Sequence, residues 1–244
     1  MEEGLGTLHQ AESRSPQPGE GASLGQVTWV LLSPLSPEDR DQFLGLARAR
    51  TFARNEVLCH AGDPADSLHL VDDGHLAVRV GLATGDTATL NVLSAGDYFG
   101  ELALLGSHHR RTATILALEP SRTLSVTSAA FNGLCARNPR VERVVSTLLA
   151  ARVEALSQRL VETMYESLDR RVHRRLLELA ESYGRGESTV GLPLSQSQLA
   201  DLVGAARPSV NQVLQRMVAQ GLVRLGRGRI EVLDVHALAR RCAS

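Results

Sequence analysis

Between Arg140 and Tyr183 the chain contains neither glycine nor proline. These are the two residues that most often interrupt a helix, so long helices can form here. Apolar side chains recur through the stretch in steps of three and four: Val141, Val145, Leu149, Val153, Leu156, Leu160 and Met164. This spacing predicts a helix roughly 40–45 Å long, at about 1.5 Å per residue, with an apolar stripe along one side.

The apolar stripe is narrow, which is typical of a helix that pairs with its own copy in a coiled-coil-like seam. Packing on a sheet of the same chain is the alternative, and both arrangements can hold at different points of one helix. Ser167 and Asp169 can each cap the start of a new helix. We therefore expect a hinge at residues 167–169.

The sequence before this helix has the pattern of short strands. From Val57 to about Thr127, runs such as SLHLV, HLAVRV, ATLNVL, TATILAL and TLSVT are separated by AGDPAD, DDG, ATGD, SAGD and EPSR. Strands of this length and spacing predict an antiparallel sandwich or barrel. Residues 35–50 predict a short helix instead, because Ser36 precedes a proline and a glutamate.

The segment LSQSQLADLVGAARPSVNQVLQRMVAQGLVRL holds two helical patterns around Gly204. Ser195 and Gln198 fit a capping box at the start of the first helix. Gly204 can adopt the left-handed conformation that turns the chain, and the second helix begins near Pro208. The following LVRLGRGRIEVL predicts a hairpin that turns at residues 227–228. Together these features predict a helix-turn-helix with a β wing.

The second of these helices has the composition of a DNA-recognition helix. It turns apolar side chains inward and leaves five polar ones outward, namely Arg207, Ser209, Asn211, Gln212 and Arg216. Arginine suits guanine and asparagine or glutamine suits adenine in the major groove, while Ser209 and the first N–H groups can hold a phosphate. We expect Arg227, with Arg224 and Arg229, to contact the DNA backbone. The alternative is a solvated polar face.

The charge distribution agrees with a nucleic-acid partner for the C-terminal third. Residues 169–244 contain 12 arginines and 7 acidic residues, whereas residues 1–168 contain 14 arginines and 20 acidic residues. No lysine occurs, so every basic side chain is arginine. A basic module on an acidic body is typical of binding to a phosphate backbone.

Other compositional features exclude several classes of protein. No run approaches the roughly 18–20 apolar residues of a membrane span, and the N-terminus lacks the pattern of a signal peptide. We expect a cytoplasmic protein with no membrane partner and a disordered tail over residues 1–25. Cys59, Cys135 and Cys242 are scattered without ligand-like spacing, so no disulfide framework and no metal are expected.

The stretch GELALLGSHHRRTATILAL begins at Gly100 and places ligand-binding groups at both ends of an apolar run. Gly100 allows a close backbone approach, and a helical turn that starts there would point free N–H groups at an anion. Arg111 offers a planar donor fork for a phosphodiester and Thr112 a hydroxyl, whereas Glu101 is an acceptor suited to ribose hydroxyls. The alternative is a surface ion pair of Glu101 with Arg111 or Arg110.

The letters FGELALL…RRTA resemble the phosphate-binding cassette of cyclic-nucleotide-binding domains, with its Gly-Glu-Leu start and Arg-Ser/Thr-Ala finish. Over about residues 28–240 the chain resembles the cyclic AMP receptor protein/FNR family of bacterial transcription regulators. The resemblance implies an α+β fold in three parts. These are an N-terminal antiparallel β-roll that binds cyclic nucleotide over 26–136, a long dimerisation helix over 137–168, and a winged helix-turn-helix DNA-binding domain over 169–244.

The same resemblance implies roles for the cassette residues. Glu101 would hold the ribose 2′-hydroxyl, and Arg111 and Thr112 would hold the cyclic phosphate. Gly100 and Leu102 would contribute backbone groups.

The resemblance also implies that the long helix presents two neighbouring residues to the base, one from each subunit. These are Leu156 and Ser157. Leucine departs from the hydroxylated residue usual in the cyclic AMP receptor, and a threonine such as Thr112 also occurs beside the cassette arginine of cyclic-GMP-binding domains. We expect cyclic AMP as the ligand, with cyclic GMP as the second candidate. In the recognition helix, Pro208 and Gln212 also depart from the receptor's residues.

The implied partners are double-stranded DNA, a second copy of the chain and RNA polymerase. The implied DNA site is roughly palindromic. An enzyme is not expected, because the sequence shows no nucleophile–base pair, metal cluster or paired carboxylates at telling spacing. The alternative from another class is a constitutive DNA-binding module whose β-roll serves only for dimerisation or protein contact. A regulator of the same family that responds to a different effector is also an alternative.

Overall fold

The computed structural model describes residues 27–105, 110–138, 142–184 and 186–242. The tail expected over residues 1–25 lies outside the described residues. The chain has the predicted α+β architecture, with a β-rich N-terminal part, two successive helices and a smaller C-terminal module. None of the helices in these ranges is long and apolar enough to cross a membrane.

The β-rich part is a roll of two antiparallel four-stranded sheets. Its strands are β1 Arg48–Phe52, β2 Val57–Cys59, β3 Ser67–Asp73, β4 Leu76–Gly81, β5 Thr87–Leu93, β6 Tyr98–Phe99, β7 Thr114–Ala117 and β8 Ser121–Thr127. One sheet has the order β1-β8-β3-β6 and the other the order β2-β7-β4-β5. The five strand runs expected from the sequence are confirmed as β3, β4, β5, β7 and β8.

The first helix is shorter than predicted. α1 spans Pro37–Gly45, and the hydroxyl of Ser36 accepts a hydrogen bond from the N–H of Asp39 as the N-cap. The prediction that the helix continues to residue 50 is wrong, because β1 pairs with β8 there, from Arg48 opposite Ser125 onwards. The pairing satisfies backbone groups that a longer helix would have satisfied internally.

Two helices follow the roll after α2, which spans Ser128–Arg137. α3 spans Glu142–Tyr165 and α4 spans Leu168–Gly184, so the chain breaks where a hinge was expected. The described part of the α3 stripe is open to solvent in the single chain: Val153 is 63% exposed, Leu160 60% and Met164 63%. Val141 and the side chain of Val145 lie outside the described residues.

The C-terminal module contains the predicted helix-turn-helix and wing. Its elements are β9 Val190–Leu192, α5 Gln196–Val203, α6 Arg207–Ala219, β10 Val223–Gly226, β11 Arg229–Val232 and α7 Val235–Cys242. The capping box of Ser195 and Gln198 is present, and Gly204 has the left-handed φ of 64°. Val210, Val213, Leu214 and Met217 are buried as predicted.

This module packs directly against the roll. The N–H of Thr89 on β5 donates to Oδ2 of Asp201 on α5 at 3.1 Å. The ring of His75, immediately before β4, stacks on Tyr183 of α4 with 3.5 Å between centroids, and its Nε2 lies 2.8 Å from Oγ of Ser182. Contacts of the roll thus reach both α4 and the helix-turn-helix.

Candidate functional site

The β-roll encloses a cavity of about 250 Å³ that carries the residues of the GEL…RRTA stretch. A 3₁₀ helix over Glu101–Leu105 forms one wall, and the chain leading into β7 forms another. The structure brings together at this cavity the cassette residues Gly100, Glu101, Leu102, Arg111 and Thr112. The rest of its lining includes apolar side chains such as Val78, Val80, Leu90, Leu93, Phe99 and Ile115.

Arg111 is the most deeply buried cation of the cavity, with 8% of its side chain exposed. Its Nη1 donates to the carbonyl oxygen of Ser67 at 2.8 Å and its Nη2 to Oγ of Ser67 at 3.0 Å. The nearest carboxylate oxygen, on the exposed Asp66, is 4.0 Å away. Nε is buried and has no hydrogen-bond partner among the described residues. A buried guanidinium with a spare donor and a distant counter-charge favours an anion.

Gly100 is needed for this position of Arg111. Its φ is +83°, a conformation that other residues rarely adopt. A β-carbon at Gly100 would lie 2.2 Å from Nη1 of Arg111 and 2.6 Å from the carbonyl oxygen of Ser67. The absence of a side chain therefore allows the guanidinium to lie against the backbone.

His69 supports the arginine from β3. Its Nε2 lies 3.3 Å from Oγ of Ser67 and its Nδ1 3.1 Å from Oγ1 of Thr123. The ring stacks on Phe99 with 4.7 Å between centroids. Burial, and then the nearby Arg111, lower the pKa of His69 to about 4. His69 is therefore neutral near pH 7, which avoids a second positive charge next to the guanidinium.

Glu101 begins the 3₁₀ helix and is partly buried at the cavity. It forms no ion pair with Arg110 or Arg111, all three of which lie in the described part of the chain. Arg110 instead donates from Nη1 to the carbonyl oxygen of Gly62 at 2.7 Å. Burial and then the Glu101 carboxylate raise the pKa of Tyr98. The structure therefore gives no support to a surface ion pair as the explanation of this stretch.

The two residues expected to face the base occupy different surroundings on α3. Leu156 is 55% exposed and lines a cavity of about 210 Å³ with Tyr98 and Asn91, but not the cavity of Arg111. Ser157 is exposed and lines neither cavity. The α3 residue that does line the cavity of Arg111 is Arg152, one helical turn before Leu156.

Sequence reasoning missed Arg152, Ser67 and His69 as parts of this site. Ser67 and His69 occur in the run SLHLV, which was interpreted only as a strand. The alternation of that strand puts both side chains on one face, but the sequence does not say which loop covers it. Arg152 depends on where α3 crosses the roll, which no local pattern defines.

The predicted DNA-contact residues lie on and around α6. Arg207, Ser209 and Gln212 are exposed, whereas Asn211 is partly buried and its Oδ1 has no hydrogen-bond partner among the described residues. Arg216 donates from Nη2 to Oδ1 of Asp169, at the start of α4, at 2.6 Å. Arg216 would have to exchange this surface ion pair for a DNA phosphate.

The wing arginines differ in their surroundings. Arg224 and Arg229 both pair with Glu231 on β11, at 2.9 Å and 3.4 Å. Arg227 is exposed at the turn between β10 and β11, as expected for the hairpin. Of the three, Arg227 is the one without an acidic partner in the described part of the chain.

Comparisons with known families match both parts of the chain. The family model of the cyclic nucleotide-binding domain matches residues 49–138, which include the whole cavity-forming cassette. The family model of the Crp-like helix-turn-helix domain matches residues 170–241. The second family consists of DNA-binding regulators rather than enzymes.

Individual relatives extend over most of the chain. A cyclic AMP receptor protein from Thermus thermophilus is 31% identical over 211 residues, which cover 85% of this chain and 94% of that protein. A CRP-like cAMP-activated global transcriptional regulator from Mycobacterium tuberculosis is 28% identical over 193 residues, which cover 78% and 86% of the two chains.

Solved structures share the fold. A CRP/FNR-family transcriptional regulator from Thermus thermophilus superposes with a TM-score of 0.66 at 24% identity, covering 81% of this chain and 99% of that one. At this identity the likeness concerns the fold alone. The two domain matches and the 31% identical relative show that the chain belongs to the CRP/FNR family of cyclic-nucleotide-binding, DNA-binding transcription regulators.

Proposed function

We propose that this chain is a homodimeric, ligand-gated transcription regulator whose effector is cyclic AMP, with cyclic GMP as the second candidate. The observation that carries the proposal is the state of Arg111. Its guanidinium is buried at a cavity, keeps an unpartnered Nε and has its nearest carboxylate 4.0 Å away. A cyclic phosphate would supply the missing negative charge and acceptor.

The other cassette residues would complete the recognition of a sugar phosphate. Thr112 would add a hydroxyl donor to the phosphate. Glu101 would accept from the ribose 2′-hydroxyl, since a carboxylate repels phosphate but accepts readily from hydroxyl groups. The N–H groups at the start of the 3₁₀ helix, at Gly100 and Leu102, would add backbone donors. The apolar part of the lining would contact the base.

The choice of cyclic AMP over cyclic GMP rests on the relatives, because those from T. thermophilus and M. tuberculosis are named for cyclic AMP. Leu156 and Ser157 would face the base from the two subunits of a dimer. If so, Leu156→Thr changes the ratio of the affinities for cyclic AMP and cyclic GMP. An unchanged ratio would remove position 156 from the base contacts.

The dimer would form along α3, because the apolar stripe there is exposed in the single chain and has the spacing of a coiled-coil seam. Two α6 helices would then enter successive major grooves of a roughly palindromic site, with half-sites about 34 Å apart. Arg207, Ser209, Asn211, Gln212 and Arg216 would contact the DNA from α6. Arg227 would contact the backbone from the wing, and RNA polymerase would be the further partner.

Gating would work as a shift between two populations of the dimer. Ligand that contacts both the roll and α3 would favour one arrangement of α3 and α4 about residues 167–169, and hence one spacing of the recognition helices. To switch the protein, the ligand must favour that arrangement by a few kcal/mol, roughly 5.5 for a complete reversal from 1:99 to 99:1.

Isothermal titration calorimetry with cyclic AMP and cyclic GMP tests the ligand. We expect the wild-type chain to bind cyclic AMP and Arg111→Ala to lose that binding. The circular dichroism spectrum of the variant should remain that of the folded wild type. Absence of binding of both nucleotides to the wild type would overturn the role in cyclic-nucleotide sensing. A DNA-binding regulator that is constitutive or responds to a different effector would then be the remaining interpretation.

A further inference from the structure

A second cavity, of about 490 Å³, lies where α3, β5, α4 and α5 meet. It shares only Val78, Leu90 and Arg152 with the cavity of Arg111. Its volume falls within the roughly 300–1,000 Å³ typical of small-molecule sites. A ligand there would touch both the roll and the DNA-binding module.

The lining of this cleft is unusually rich in arginine. Among the described residues its charged side chains are five guanidinium groups and three carboxylates, namely Arg152, Arg159, Arg171, Arg174 and Arg175, with Glu162, Glu178 and Asp201. The lining therefore carries an excess of two positive charges. Such an excess in a concave site attracts and concentrates anions.

All three carboxylates of the cleft are already engaged. Glu162 accepts from Nη1 of Arg174 at 2.7 Å, and Glu178 from Nη1 of Arg175 at 2.8 Å. Asp201 accepts from a backbone N–H of β5 at 3.1 Å. The arginines that remain must find other acceptors.

Asn91 on β5 is the acceptor for one of them, Arg159, and also for Arg175, which already pairs with Glu178. Its Oδ1 accepts from Nη2 of Arg159 on α3 and from Nη2 of Arg175 on α4, both at 2.8 Å. Two cations thus meet on one neutral oxygen. Partial burial, and then repulsion by Arg175 and Arg152, lower the pKa of Arg159. An anion would stabilise this meeting point far better than an amide does.

A second anchoring point lies one helical turn before Arg175 on α4. Nη1 of Arg171 donates to the carbonyl oxygen of Val203 at 2.7 Å, where α5 ends. The Nε atoms of Arg171 and Arg175 are buried and have no hydrogen-bond partner in the part of the chain that the structure describes. Buried donors without acceptors are costly, and two of them line the same cleft.

We propose that this cleft is a second effector site, which binds a small molecule carrying two linked phosphate groups. One phosphate sits between Arg159 and Arg175, and the other reaches towards Arg171. Bound there, the ligand ties α3 and β5 to α4 and so fixes the DNA-binding module on the roll. The site is independent of whether the cavity of Arg111 takes a cyclic nucleotide.

Calorimetry of the full-length chain with inorganic pyrophosphate tests the proposal, with orthophosphate as the single-phosphate comparison. We expect pyrophosphate to bind at least tenfold more tightly than orthophosphate. Arg159→Gln and Arg175→Gln should each weaken pyrophosphate binding at least tenfold, whereas Arg111→Gln should leave it unchanged. Absence of binding, or loss of binding only in Arg111→Gln, would overturn the second site.

Asn91→Asp provides a test that does not remove an arginine. The new carboxylate would accept from both guanidinium groups and compensate one of their two positive charges, so it should raise the midpoint of thermal unfolding and abolish the further rise that pyrophosphate gives the wild type. Asn132→Asp, at an exposed position of α2, is the matched control and should change neither quantity. Equal pyrophosphate responses of Asn91→Asp and the wild type would contradict the proposal.

Discussion

The guanidinium of Arg111 lies against the α-carbon of Gly100, so closely that a β-carbon at position 100 would be 2.2 Å from Nη1. The contact joins the first and the last parts of the cassette around one cavity. It also explains why a glycine with a positive φ stands immediately before the 3₁₀ helix. The position of the proposed anion-binding group therefore depends on a missing side chain as much as on the arginine itself.

Gly100→Ala should weaken cyclic AMP binding at least tenfold, because the methyl group displaces the guanidinium. Gly85→Ala is a matched control, since Gly85 has nearly the same φ, +88°, but nothing within 4 Å of a β-carbon. Both variants carry the backbone strain of a left-handed alanine, roughly 1–2 kcal/mol. Calorimetry that finds equal affinities in the two variants would refute the role of the Gly100–Arg111 contact.

The sequence predicts some strands of the β-roll and misses others. The strands β3, β4, β5, β7 and β8 are clear in the sequence because they are apolar runs bounded by turn residues. β1 was missed, since its residues RARTF are mostly exposed and only pairing with β8 holds them extended. β6 is two residues long, too short for any periodic signal.

The residues of the candidate site are likewise only partly predictable from the sequence. The spacing of Glu101 and Arg111 in one stretch was enough to predict that both residues belong to one site. Ser67 and His69 could not be linked to Arg111, because the contact crosses two sheets and 44 residues of chain separate Ser67 from the arginine. The cleft of Arg159 and Arg175 depends on how the C-terminal module docks on the roll, and no local pattern encodes that docking.

Stability should fall in acid partly through His69. Its folded-state pKa of about 4 lies below the unfolded value of 6.5, so below pH 6.5 the unfolded chain binds a proton that the folded chain excludes. The contribution of His69 to the free energy of unfolding is therefore complete above pH 6.5 and is lost as the pH falls towards 4. The expected loss from this group is about 3 kcal/mol.

Urea unfolding of the wild type and of His69→Gln between pH 7 and pH 4 measures this effect. The variant cannot titrate, so its stability should fall by about 3 kcal/mol less over that range. His236→Gln, at an exposed position of α7, is the control and should follow the wild type. Parallel curves for His69→Gln and the wild type would rule out a depressed pKa at His69.

The exposed stripe on α3 predicts the oligomeric state. Wild-type protein should sediment as a dimer, and Leu160→Glu should raise the dimer dissociation constant at least tenfold by placing two like charges in an apolar seam. Leu82→Glu changes another exposed leucine, in the loop after β4, and should leave sedimentation unchanged. A monomeric wild type, or a Leu160→Glu variant that dimerises as the wild type does, would exclude α3 as the dimer interface.

Arg207→Ala and Arg227→Ala should affect DNA binding in different ways. Loss of Arg207, at the start of α6, should cost about 1–3 kcal/mol and relax the base preference at one position. Loss of Arg227, on the wing, should weaken binding evenly across sequences and reduce the salt slope by about 1. Binding selections from a random DNA pool measure both, and an unchanged base preference in Arg207→Ala would contradict its assignment to base contact.

The central claim is that ligand in the cavity of Arg111 controls DNA binding by the distant module. The direct measurement is the affinity for a selected DNA site at fixed salt, with and without saturating cyclic AMP, in the wild type and in Arg111→Ala. We predict that cyclic AMP changes the wild-type affinity at least tenfold, about 1.4 kcal/mol of coupling, and leaves Arg111→Ala unchanged. A wild-type affinity that is the same with and without cyclic AMP would contradict the account.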